Sequence, residues 1–121
     1  KSKKWLRKIL REEQKKEGDI NIIFSDNHTI LQLNKTYLSR NYFTDVIAFP
    51  YAEGKTVDGD IYISIDTVKE NAKLYKCTFW DELHRVMIHG LLHLIGYGDK
   101  TAKEKKEMRE KESFYLSEFK S

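Results

Sequence analysis

The residues from Val86 to Gly98 form the longest stretch without Asp, Glu, Lys or Arg, 13 residues in a chain of 121 that is 34% charged. The stretch is too short to cross a bilayer, which needs roughly 20 apolar residues, so it belongs inside a folded core. It also carries His89 and His93, four positions apart. On a helix, residues with that spacing differ by about 40° in direction and about 6 Å along the axis, so both imidazoles reach one ion. Gly96 supplies the backbone conformation that ends a helix, and Gly98 frees the chain again so that Asp99 can fold back toward the same ion.

His89, His93, Gly96 and Asp99 match the metzincin pattern His-Glu-x-x-His-x-x-Gly-x-x-His at both His, at the glycine and at the last ligand position. Gly90 stands in the glutamate slot and Asp99 in that of the third His. A His pair alone would be read as a hydrogen-bonded helix end; a pair with a glycine break and an oxygen ligand at the right offset points to a metal site. His89, His93 and Asp99 are therefore the expected ligands of one Zn2+ per chain, although nitrogen and oxygen donors together also admit nickel, cobalt or iron. Two His and one carboxylate leave a fourth position for water, whose pKa zinc lowers to about 7, and this makes hydrolysis the natural reaction class. Gly90 then separates the substrates. In zincin peptidases the glutamate at that position is the general base, and Gly90 has no side chain to serve as one. A phosphodiester, whose charge the ion neutralises and which water or a 2′-hydroxyl can attack, is less affected by the loss.

Periodicity places the other elements. Trp5, Leu6, Ile9 and Leu10 recur at helical spacing and predict an amphipathic helix over residues 2–17, stopped by Gly18. A strand follows over 20–24 and a helix over 27–38, with Ser25 and Asp26 as caps. Strands at 46–49 and 60–65 are joined by a loop over 53–59, and helices are expected over 67–75, from Asp81 to Ile95 and over 101–119. The order α-β-α-β-β-α-α-α indicates the α+β class, a single domain over residues 1–121 with a small mixed sheet covered by helices and a zincin-like metal-site helix. Met108 should face the core, Cys77 should be a buried small side chain, and Glu82 should cap or support rather than ligate. Asp45 and Asp60, at strand ends, could line the cleft or serve turns.

Charge is uneven: net +6 over residues 1–16, −5 over 17–99 and +2 over 100–121. Basic ends could grip phosphates, but solvated outer faces of two helices are the better reading of them. Cys77 is the sole cysteine, which leaves no disulfide partner and fits a reducing, cytoplasmic location; no membrane or signal segment is expected in this stretch.

With these residues in place the chain resembles the YbeY family, bacterial zinc-dependent endoribonucleases of ribosomal RNA maturation. The family signature His-Gly-x-Leu-His-Leu-x-Gly-Tyr-Asp-His reads here as His89-Gly90-Leu91-Leu92-His93-Leu94-Ile95-Gly96-Tyr97-Gly98-Asp99. A block Leu-Asn-x-x-Tyr-Arg followed by Thr-Asp-Val-Leu-Ser-Phe-Pro appears as residues 33–38 and 44–50, and Gly-Asp-Ile-x-Ile-Ser as residues 59–64. The resemblance covers residues 20–112 and implies a metal-dependent, single-strand-specific endoribonuclease acting in ribosomal RNA processing. Its implied partners are single-stranded or ribosomal RNA and the small ribosomal subunit. The family's phosphate-binding arginine is replaced by Leu38, and Arg40, two residues on, is the candidate for its catalytic role, with Arg85 as a further guanidinium near the His pair. Two other readings remain open at this point: a metzincin-like zinc peptidase, and a non-catalytic, metal-braced RNA- or ribosome-binding factor.

Overall fold

The apolar stripe of the first helix fastens it to the core. In the computed structural model, which describes residues 2–38, 44–51 and 54–120, α1 (Ser2–Glu12) buries Trp5, Leu6, Ile9 and Leu10. It ends earlier than its periodicity predicts. The Glu13 and Lys15 amides still donate to the Ile9 and Leu10 carbonyls, but Gln14 adopts φ 61° and turns the chain into β1 (Lys16–Ser25). Gly18 is thus not the helix stop; it lies inside β1.

Asp26 caps α2 (Asn27–Leu38), accepting from the Thr29 amide at 2.8 Å. Strands β2 (Val46–Pro50) and β3 (Thr56–Ser64) then pair antiparallel, with Val46 opposite Ile63 and Pro50 opposite Gly59. β1 joins the other side of β3 in parallel, giving the order β1-β3-β2. A parallel pair needs a long crossover, and the path through α2 and β2 supplies it. In β3 the residues Val57, Gly59, Ile61 and Ile63 are buried and alternate with more exposed ones, as expected for a sheet with one face on the core.

Three helices follow: α3 (Ile65–Leu74), α4 (Phe79–Ile95) and α5 (Ala102–Lys120). α3 starts earlier than the sequence suggests because Ser64 is its cap, accepting from the Thr67 amide at 3.3 Å. α4 crosses the buried face of the sheet with Val86, Leu91 and Leu92 fully enclosed, and Met108 and Tyr115 of α5 belong to the same core. On the other face Tyr37 of α2 meets Phe49 edge-on at 5.8 Å. The α+β class, the mixed sheet and the helix cover are as expected. Cys77 is not: it is exposed in the turn between α3 and α4, where the chain leaves one helix before the next has begun to pack. No described helix is long and apolar enough to cross a membrane.

Candidate metal centre

α4 is apolar on most of its circumference because it packs on the sheet, on α3 and on α5; its last turns open onto the cleft that holds the His pair. Its cap is Thr78, which accepts from the Asp81 amide at 3.0 Å, so the helix starts before the acidic pair that the sequence suggested. At its far end Gly96 has φ 126°, a conformation that side chains disfavour. Its amide donates to the His93 carbonyl at 3.1 Å and the Tyr97 amide to the Leu92 carbonyl at 3.0 Å. These two bonds make a Schellman turn, which satisfies the last carbonyls and reverses the chain. Gly98 serves by being small: a Cβ there would meet the Glu104 carboxylate at 2.8 Å. That carboxylate caps α5 by accepting from the Lys100 and Thr101 amides, while Thr101 Oγ1 accepts from the Glu104 amide.

The turn brings Asp99 back to the His pair. His89 Nε2 and His93 Nε2 lie 3.0 Å apart, and Asp99 Oδ2 is 3.4 Å from the first and 3.3 Å from the second. Their donor atoms all fall within 4.8 Å of one another, the one such group of three among the described residues. The other ring nitrogens are both engaged. His93 Nδ1–H donates to the Tyr97 carbonyl at 3.0 Å and His89 Nδ1–H to the Glu112 carboxylate. A carbonyl oxygen can only accept, so in neutral His93 the proton sits on Nδ1 and Nε2 carries a lone pair; the Glu112 carboxylate orders His89 in the same sense. Two lone pairs and a carboxylate facing one point repel each other unless a cation lies among them, and the donor chemistry fits a divalent transition ion.

A second layer of charge supports this group. Buried Glu112 also accepts from Arg85 Nη1 at 3.0 Å, and Arg85 makes a two-pronged contact with buried Glu82, Nε to Oε1 at 3.0 Å and Nη2 to Oε2 at 2.5 Å. Asp45 Oδ2 stands 3.7 Å from the same guanidinium. Arg85 is therefore tied to structural carboxylates and is not a free surface cation. Burial acts to lower the pKa of His89, but the bond and the charge of Glu112 outweigh it and raise it above the ordinary histidine value. His93 is lowered, by burial and then by neighbouring His89. Burial raises the Asp45 carboxyl against the pull of His89 and Arg85.

The cleft around the His pair encloses about 890 Å³, and Asp45, Val46, Ala48, Pro50, Lys100 and Lys105 are among its walls. Asp45 thus takes the cleft-lining role, whereas Asp60 bonds Asn21 and Tyr51 instead. Gly90 is buried against the sheet: a Cβ there would meet Ile61 Cγ2 at 2.6 Å and Val46 Cγ2 at 3.2 Å. Arg40 lies outside the described residues. Sequence reasoning missed Glu112, which sits among alternating Lys and Glu that read as surface charge pairs; its only signal was Met108, one turn before it, marking the buried side of α5.

Compared with known families, the model for "Endoribonuclease YbeY" matches residues 1–120. The chain belongs to the YbeY family. Among its relatives, the endoribonuclease YbeY of Cytophaga hutchinsonii is 50% identical over 114 residues, 93% of this chain and 80% of the relative. That of Azobacteroides pseudotrichonymphae is 42% identical over 118 residues, 98% of this chain and 85% of the relative. A Thermotoga maritima protein solved in solution superimposes with a TM-score of 0.67 at 39% identity, covering 96% of this chain and 77% of its own. Membership in the YbeY family agrees with the fold and with the order of the three sequence blocks.

Proposed function

We propose that this protein is a metal-dependent, single-strand-specific endoribonuclease of ribosomal RNA processing, its whole chain forming one catalytic domain that works in the cytoplasm on RNA of the small ribosomal subunit. The observation that carries the reading is the convergence of two Nε2 lone pairs and a carboxylate on one point in an open cleft. His89, His93 and Asp99 would hold one Zn2+, which supplies Lewis acidity toward water and toward phosphate oxygens. Glu112 and the Tyr97 carbonyl fix the imidazole tautomers. Lys100 and Lys105 favour a polyanion in the cleft, and Arg40 is proposed to bind the scissile phosphate. Asp45, whose carboxyl burial raises above the ordinary carboxylate value, lines the same cleft and is proposed to move a proton.

Gly90 separates this reading from a zinc peptidase. The space beside it is filled by Ile61 and Val46, so the helix carries no glutamate base there and has no room for one. The test is cleavage of a single-stranded ribosomal RNA fragment by zinc-loaded protein, by chelator-treated protein and by a folded His93→Ala variant. Cleavage by the loaded wild type alone supports the nuclease. Stoichiometric zinc binding with no RNA cleavage would favour a metal-braced binding factor.

A further inference from the structure

We propose that the outer edge of β2 holds one substrate base by its Watson–Crick edge and thereby admits only unpaired nucleotides. The inference rests on the RNA reading above and names the element that would select single strands. Among the described residues β2 has β3 on one side only. The Ser64 amide donates to the Asp45 carbonyl at 2.9 Å and the Tyr51 amide to the Asp58 carbonyl at 3.0 Å. Bonded and non-bonded pairs alternate in an antiparallel ladder, so Ile47 and Phe49 turn their backbone groups toward β3. Val46, Ala48 and Pro50 turn theirs away from it.

Those three residues line the metal cleft. The Val46 end lies beside the His pair, because Val46 Cγ2 is the atom 3.2 Å from where a Gly90 Cβ would be. Along such an edge the carbonyl of one outward residue neighbours the amide of the next, so Val46 C=O and Ala48 N–H form an adjacent acceptor and donor. Every nucleobase carries an adjacent donor and acceptor on its Watson–Crick edge. An unpaired base of any identity can close both bonds, and a base already paired cannot. Pro50 has no N–H to set beside the Ala48 carbonyl, so the edge offers one complete pair there and then stops. A peptide strand needs a longer alternating run to add to a sheet; a single base does not. Exposed Lys100 and Lys105 in the same cleft complement its phosphates.

The test compares oligouridine with an oligonucleotide of 3-methyluridine of equal length, whose ring nitrogen can no longer donate, as substrates of zinc-loaded wild type, Ala48→Pro and Ala48→Ser. Proline at 48 deletes the outward N–H without touching a ladder bond, as Pro50 already does two residues on; serine keeps the N–H. Methylation is expected to lower kcat/KM of the wild type by roughly tenfold, the worth of one or two such bonds. Ala48→Pro should lose a similar factor on oligouridine while staying sensitive to methylation, because Val46 C=O remains to accept the ring N–H, and Ala48→Ser should keep both behaviours of the wild type. Equal cleavage of the two oligonucleotides by the wild type overturns the proposal whether or not the proline variant folds. So does a folded, zinc-binding Ala48→Pro with unchanged kcat/KM. If the loaded wild type cuts neither RNA, or cuts peptides instead, the RNA reading itself has failed.

Discussion

Two imidazole nitrogens 3.0 Å apart, each with its proton on the far side of the ring, define a place for a cation more sharply than the distances to Asp99 do. The tautomers are set by Glu112 and by the Tyr97 carbonyl, so replacing Glu112 should loosen the site without removing a ligand. Glu112→Gln is expected to weaken zinc binding by about 10–100-fold, measured by competition against a chromophoric chelator, with the far-ultraviolet circular dichroism unchanged. Gly90 answers to a different constraint. Gly90→Ala puts a methyl 2.6 Å from Ile61 Cγ2 and should cost about 1–3 kcal/mol in urea unfolding. A larger residue would be worse, and Gly90→Glu should fail by unfolding rather than gain peptidase activity.

At the scale of elements, the end of α4 matters more than its length. The Schellman turn at Gly96 places the Tyr97 carbonyl on His93 and sends Asp99 back toward the helix. Gly96→Ala, which forces a side chain into φ 126°, should cost roughly 1–2 kcal/mol and weaken zinc binding as well, whereas a substitution that only destabilises the fold leaves the affinity of the folded fraction alone. The same contrast explains what was legible in the sequence. His89, His93, Gly96 and Asp99 act within three turns of chain, so spacing alone brings them together. The element order and class followed from local periodicity, and Thr78 or Ser64 shifted helix starts by only a few residues. Glu112 works on a partner 23 residues away, and only Met108, one turn before it, sets it apart from neighbouring glutamates. The end of α1 was misread because a glycine is the usual stop, and here Gln14 takes the left-handed conformation instead.

Across the whole molecule, Glu13 ties the first helix to the last. Its carboxylate accepts from Tyr97 Oη at 2.6 Å, from Lys111 Nζ at 2.9 Å and from Tyr115 Oη. Burial acts to raise its pKa, but the two hydroxyls and the ammonium outweigh it and lower it. A carboxyl depressed in the folded state contributes stability above its unfolded pKa and loses it as pH falls through the folded one. The gap in thermal midpoint between wild type and Glu13→Gln should therefore be present at neutral pH and close below about pH 4, as calorimetry at several pH values would read. The layout also fixes an order of events during synthesis. All three metal donors are made by Asp99, but Lys111, Glu112 and Tyr115 come later. A chain still emerging has its ligands before it has the carboxylate that orients His89 or the clamp on Tyr97, so tight metal capture marks a chain whose last helix has already docked.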